Sequence, residues 1–217
     1  MHFVDAWTSL PLLELLLRVV PAAIAVVTML LPGRALARTA SLALALAVPL
    51  APDLGPLALR AGWLVLWLGV AVVSGVKRDV TPRGETSRPG GVESGAVGLL
   101  LGSALLVVMI VALGREDLPA ELTRRASLGM VLIMVGIAHL MLRRDALRGA
   151  MAFATMGLGL QWLDRAVRSI VLESAAVPAG AVLFATAVAV ALATRVALVR
   201  QRDAGSAWVS HAHDLHD

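Results

Sequence analysis

Long apolar runs constrain this chain more than any other feature of its sequence. Seven runs can be counted, at roughly residues 9–32, 36–51, 56–76, 94–114, 126–142, 149–163 and 176–199. A helix needs about 20 apolar residues to cross a bilayer core of ~30 Å, whereas a lipid-facing strand alternates apolar with polar positions. The runs do not alternate. We therefore predict an all-α, polytopic transmembrane helix bundle of seven spans, or six if the short second run is re-entrant.

The composition agrees with lipid as part of the solvent. Hydrophobic residues make up 59% of the 217 residues, charged residues make up 16%, and the mean hydropathy is +0.83. A soluble domain is roughly 45–50% apolar and about 25% charged. The pI of about 11.1 would suit a nucleic-acid binder. The arginines, however, stand at the ends of the apolar runs, so we expect the lipid bilayer and no nucleic acid as a partner.

The distribution of basic residues predicts the orientation in the membrane. With the N-terminus outside, the inner loops hold eleven basic residues, namely Arg34, Arg38, Lys77, Arg78, Arg83, Arg88, Arg143, Arg144, Arg148, Arg200 and Arg202. The outer loops hold six, namely Arg60, Arg115, Arg124, Arg125, Arg165 and Arg168. Cytoplasmic loops carry the excess of Lys and Arg. We therefore place the N-terminus outside and the C-terminus inside.

A polar stretch rich in proline, glycine and arginine divides the chain. This loop, 77–93, separates a three-span N-terminal part, 1–76, from a four-span part, 94–199, and a polar tail follows at 200–217. Small residues recur at four-residue spacing in the last run, at Ala181, Ala185, Ala189 and Ala193, and in the fourth run, at Ser94, Gly98 and Gly102. Such grooves let another helix approach closely. They fit packing inside the bundle as well as contact with a partner subunit.

An acid and a base lie within the first run. Glu14 and Arg18 are four residues apart and therefore share a helical face, with the acid placed first. An ion pair at membrane depth is a functional candidate by default. Two interpretations remain open: an intramembrane pair on an ion pathway, or an interfacial amphipathic helix with the span beginning near Val19.

Few other polar groups lie within the runs. His139 is the only histidine there, and it could relay protons or be a satisfied structural histidine. Thr155, Gln161 and Thr186 could hydrogen-bond across helices. A b-type haem between helices needs two axial ligands, and a single histidine in the runs cannot supply both. The chain has no cysteine, which excludes iron–sulfur clusters held by thiolates. No HExxH, GxSxG or phosphate-binding glycine motif occurs, so we expect no catalytic site and no cofactor.

The C-terminal tail reads HAHDLHD. Its side chains have ligand types that suit zinc, nickel or copper, at His211, His213, Asp214, His216 and Asp217. A chain terminus lacks the surrounding groups that orient metal ligands. We therefore predict a solvated or partner-contacting tail and no metal site.

A family resemblance becomes visible from about Ser127 onwards. The chain reads GMVLIMVGIAHLMLRRDALRGAMAFATMGLGLQW, then a loop, then VPAGAVLFATAVAVALATRVALVRQRD and the polar tail. This resembles subunit K of NADH–quinone oxidoreductase and its larger relative, component E of energy-converting, formate-hydrogenlyase-type hydrogenases. In that family a span ends in an RRN-L-like inner turn, which residues 143–148 match as RRDALR. The next span follows at once, and the last span runs into a basic stretch.

The resemblance implies a place and a set of partners. Such a subunit lies in the membrane arm of a complex I-related, redox-driven ion-translocating complex, in a prokaryotic inner membrane. Its neighbours are antiporter-like subunits, and the complex carries an iron–sulfur hydrogenase-type arm. The chain would belong to an oxidoreductase complex without being catalytic alone.

The chain departs from this family at its membrane carboxylates. The family carries acids on the span after the RR turn and on the last span. The corresponding positions here are Ala154 or Gly157, and Ala187. We therefore expect a scaffold with a degenerate proton path, which would have to use water, His139, Glu14 or partner subunits. The alternatives are a stand-alone small transporter or channel, and a structural or assembly subunit of another membrane complex.

Overall fold

The chain is all-helical wherever its structure is described. A computed structural model describes residues 6–30, 34–51, 54–75, 119–142, 146–168 and 180–204, and the single positions 104, 107 and 111. Six long helices lie in these ranges: α1 Leu12–Leu30, α2 Arg34–Leu50, α3 Leu57–Ser74, α4 Ala120–Leu142, α5 Ala146–Arg168 and α6 Ala181–Ala204. No strand occurs among these residues. The prediction of an all-α helix bundle is confirmed at this level.

Three of the described helices are long and apolar enough to cross a membrane, namely α3, α4 and α6. The second predicted run stays short, as a helix of 17 residues. The sixth run, by contrast, is part of a helix of 23 residues, α5. The fourth run with Ser94, Gly98 and Gly102 lies outside the described residues apart from three single positions, so the number of spans stays a prediction.

The helices run up and down and define two ends of the bundle. Helices that follow each other closely in sequence pack side by side, as α1 with α2, α2 with α3, and α4 with α5. The first end holds the starts of α1, α3, α4 and α6 and the last turns of α2 and α5. At the second end, Leu147 from the start of α5 packs with Ala197 of α6 and Val73 of α3.

Helix α5 forms the centre of the bundle and packs against α3, α4 and α6. Its side chains Met151, Leu158 and Trp162 are almost fully buried. Close approach to α4 depends on a pair of glycines, because a Cβ atom at Gly159 would lie only 2.5 Å from the carbonyl oxygen of Gly129. Small residues at a crossing point let two helix backbones touch and gain dispersion contacts.

The outermost helix of the described bundle is α6. Its buried positions Thr186, Val190 and Ala197 face α5 and α3, whereas Phe184 is 72% exposed. The predicted alanine ridge does not form this buried face, since Ala185 is exposed. Exposed apolar surface of this extent suits lipid or a protein neighbour rather than water.

Candidate functional site

The guanidinium of Arg18 is the centre of an ion-pair network at the first end of the bundle. Arg18 Nη2 donates to Glu14 Oε1 at 2.6 Å, so the two residues that share a helical face by their spacing are in contact. Arg18 Nη1 donates to Glu121 Oε2 of α4 at 3.0 Å. The network therefore joins two helices that are distant in sequence.

Glu121 is the shared acceptor of this network. Its Oε1 accepts a hydrogen bond of 2.8 Å from Arg124 Nη2, and Arg125 Nη2 lies 3.8 Å from its Oε2. Arg124 Nη1 donates in turn to the carbonyl oxygen of Ala6. These contacts form because α4 begins at Ala120, which places Glu121 in the first turn of a helix together with Arg124 and Arg125, two residues that we had expected in an outer loop.

Local rules explain why a helix begins there. Pro119 directly precedes α4, and its carbonyl oxygen accepts the amide hydrogen of Thr123 at 3.0 Å. Glu121 lies in the first turn, where the helix dipole favours a negative charge. Residues three and four positions further on share its face, which directs both Arg124 and Arg125 towards the same carboxylate.

Burial within the network is uneven. The side chains of Arg18 and Arg124 are only 4% and 7% exposed, whereas those of Glu14 and Glu121 are 36% and 46% exposed. Three arginines oppose two carboxylates, which leaves a formal excess of one positive charge (3 − 2). A buried cation needs such partners because desolvation is costly. The arrangement is therefore an ion-paired contact between α1 and α4 in which positive charge is in excess.

The structure separates His139 from this network. His139 is 2% exposed and lies in the last turn of α4, towards the second end. It follows Glu121 by 18 residues, so the rise of 1.5 Å per residue separates the two by about 27 Å along the helix. The candidates Glu14, Arg18 and His139 thus do not form one site.

The two candidate threonines bond within their own helices. Thr155 Oγ1 donates to the carbonyl oxygen of Met151 at 2.9 Å, and Thr186 Oγ1 donates to that of Val182 at 2.7 Å. Thr186 also packs directly on Gly157, where any Cβ atom would overlap its side chain. Their described hydrogen bonds therefore do not cross between helices. Gln161 is fully buried, and neither polar atom of its amide has a hydrogen-bond partner among the described residues.

A second group of arginines at the first end was not singled out from the sequence. Arg60 Nε donates to the carbonyl oxygen of Gly55 at 2.9 Å, and the guanidinium of Arg165 lies directly over the same glycine. Gly55 has φ +101°, a conformation that only glycine adopts readily. A Gly-Pro pair such as 55–56 is typical of a turn, but nothing in the sequence connects it with the end of α5.

Metal-ligating side chains do not cluster in the described part of the chain. No group of three or more His, Cys, Asp or Glu residues that could hold a metal ion occurs there. The HAHDLHD tail lies outside the described residues, as do loop 77–93 and the RRD of the predicted inner turn.

No protein-family model, curated protein or solved structure matches this chain significantly. The resemblance to subunit K and component E therefore rests on the sequence pattern from about Ser127 onwards. Function must otherwise be inferred from the helices and from the ion-pair network between α1 and α4.

Proposed function

We propose that this chain is a non-catalytic scaffold subunit in the membrane arm of a complex I-related, redox-driven ion-translocating complex of the component E type. The observation that carries the proposal concerns carboxylates. Only Glu14, Glu121 and Asp164 have described carboxylate side chains, and each accepts a hydrogen bond from an arginine. Proton-relaying acids form chains with other titratable groups at membrane depth. The described acids, each paired with an arginine, instead suit structural support.

The position of these acids agrees with the same role. All three lie near the first end of the bundle, and the central stretch of α5, which holds Ala154 and Gly157 at the positions of the family's carboxylate, is buried and contains no charged residue. A proton path through this chain would need acids or water there. In a scaffold, the ion pairs instead fix α1 against α4 and so hold the three-span part to the four-span part.

The exposed face of α6 supports contact with other subunits. Only 17% of its apolar stretch is buried within this chain, and the ridge at Ala185 lies open. Seven spans with the N-terminus outside, in a prokaryotic inner membrane, and antiporter-like neighbours beside an iron–sulfur arm belong to the same proposal. A small-residue ridge on an open helix is a surface that a neighbouring helix can approach closely.

Affinity isolation tests the proposal. The tagged chain is solubilised gently from native membranes, and its companions are identified by mass spectrometry. We expect antiporter-like subunits and iron–sulfur proteins in stoichiometric amounts. Ala185→Trp should reduce their recovery, whereas Leu46→Trp, at a position 70% exposed on α2, should leave it unchanged. Recovery of the chain alone, stable and free of companions, would show the proposal to be wrong.

A stand-alone transporter is the second candidate, and the buried charge of Arg18 favours it. An arginine at this depth is costly and commonly marks an ion or substrate path. The purified chain in vesicles should then conduct ions, and Glu14→Gln should abolish the flux. Absence of flux, or flux unchanged by this substitution, removes Glu14 as the carrier. A third interpretation is an assembly or structural subunit of another membrane complex. The proteins recovered by affinity isolation distinguish it from the component E type of complex.

A further inference from the structure

An open groove runs between α3 and α6 on the outside of the bundle. Its volume is about 560 Å³, and its walls are almost entirely apolar, with Leu66 and Val73 on one side and Val190 and Leu198 on the other. Thr194 and Arg195 are the polar residues that line it. The groove is therefore suited to a hydrocarbon chain along most of its length.

The groove is open because small residues line it where the two helices pass each other. A Cβ atom at Gly69 of α3 would meet no heavy atom within 4 Å, and Ala187 and Ala191 line the groove from α6. A groove that the described helices leave open at membrane depth is filled by lipid or by another protein.

Charge distinguishes between these two occupants. Arg195 is exposed at the groove, and Arg202 follows seven residues later on the same face of α6. Arg195 lies at the level of the lipid headgroups, because the neighbouring Ala197 packs against Val73 and Leu147 where α3 ends and α5 begins. None of the described residues that line the groove is acidic. Basic side chains between helices at this level bind anionic headgroups, with their stems along the apolar surface.

We propose that this groove binds one anionic phospholipid, with an acyl chain along Gly69 and the phosphate at Arg195. The proposal does not depend on the scaffold function, since it concerns a lipid site on the chain itself. Binding at this site differs from ordinary lipid contact in two respects, namely selectivity for a negative headgroup and retention through purification.

Lipid retention tests the site. The tagged chain, with any companions it carries, is purified in mild detergent, and bound phospholipids are quantified by mass spectrometry. We expect retained phosphatidylglycerol-class lipid, reduced about fivefold in Arg195→Gln, which corresponds to one basic residue at an anionic surface. Arg195→Lys should retain most of it. Gly69→Leu should lose it by filling the groove, whereas Val72→Leu, outside the groove on the same helix, should not.

A second measurement separates loss of the site from loss of the fold. Thermal unfolding is followed in detergent with added phosphatidylglycerol or phosphatidylcholine. Phosphatidylglycerol should raise the Tm of the wild type and of Val72→Leu more than phosphatidylcholine does, and this difference should disappear in Arg195→Gln and Gly69→Leu. Unchanged retention and unchanged selectivity in these two variants would overturn the proposal. Loss of a protein companion from Gly69→Leu with lipid retention intact would overturn it as well, because a partner helix would then fill the groove.

Discussion

Arg18 lies between two carboxylates from different helices, with Nη1 at 3.0 Å from Glu121 and Nη2 at 2.6 Å from Glu14. The arginine and Glu121 are separated by 103 residues in sequence. Because the guanidinium is almost fully buried while both carboxylates are partly exposed, the arginine depends on them more than they depend on it.

Replacing the central arginine should destabilise the bundle. We expect Arg18→Gln to lower the free energy of unfolding by about 2 kcal/mol, between the effect of an exposed ion pair and that of a fully buried one. Arg18→Lys should recover only part of this, because lysine lacks the planar fork that reaches both acids. Thermal unfolding in detergent measures both variants. Arg168→Gln, which removes an ion pair with Asp164 at 2.8 Å on the outside of the bundle, is the control, with an expected loss smaller than that of Arg18→Gln. Equal losses in Arg18→Gln and Arg168→Gln would contradict the buried network.

Replacing Glu121, the shared acceptor, should destabilise the protein more than replacing Glu14, which lies on the same helix as Arg18. Glu121 accepts hydrogen bonds from both Arg18 and Arg124, whereas the described bond of Glu14 comes from Arg18 alone. We expect Glu121→Gln to lower the free energy of unfolding by about 2 kcal/mol and Glu14→Gln by about 0.5–1 kcal/mol. A double-mutant cycle between Glu121→Gln and Arg124→Gln should show coupling above about 0.5 kcal/mol. Additive effects would mean that the two side chains do not interact in solution.

The glycine contact between α4 and α5 should not tolerate a methyl group. Gly159→Ala places a Cβ atom 2.5 Å from a backbone oxygen, which cannot rotate away as a side chain can. We expect a loss of about 1–3 kcal/mol through separation of the helices. Gly69→Ala, in open space on α3, should instead be neutral or stabilise by up to about 1 kcal/mol, since alanine favours the helix. The comparison uses Tm values in one detergent, and a Gly159→Ala variant as stable as Gly69→Ala would refute the close approach.

The turn before α3 should depend on glycine for two separate reasons. Gly55→Ala forces a side chain into φ +101° and into the guanidinium of Arg165. We expect a loss of about 1–3 kcal/mol. Gly180→Ala, where the added atom meets nothing within 4 Å, should stay within about 0.5 kcal/mol of the wild type. The double variant Gly55→Ala with Arg165→Ala separates the causes, because removing the arginine relieves the overlap and leaves the backbone strain.

Local features of the structure followed from the sequence because their causes are local. An apolar run in lipid satisfies its backbone hydrogen bonds within the segment, so long runs predict helices without knowledge of their neighbours. The contact between Glu14 and Arg18 follows from the helical period in the same way. The beginning of α4 did not follow, because Glu121, Arg124 and Arg125 are charged and mark a loop by composition. Glu121 pairs with Arg18 from another helix as well as with Arg124 of its own helix, and sequence spacing could not indicate the first of these contacts.

The sequence by itself determined that this chain is helical and has stretches of membrane-spanning length and polarity. Only the tertiary structure decided which stretch is central and which is peripheral. The apolar stretch of α6 has the highest mean hydropathy of the three span-length helices, 2.2, yet only 17% of it is buried, whereas that of α4 has 1.4 and is 61% buried. Hydropathy measures the free energy of transferring a side chain out of water, and both lipid and a protein interior are apolar environments. The choice between them depends on shape, as at Gly129 and Gly159, and on ion pairs between helices, as at Arg18 and Glu121.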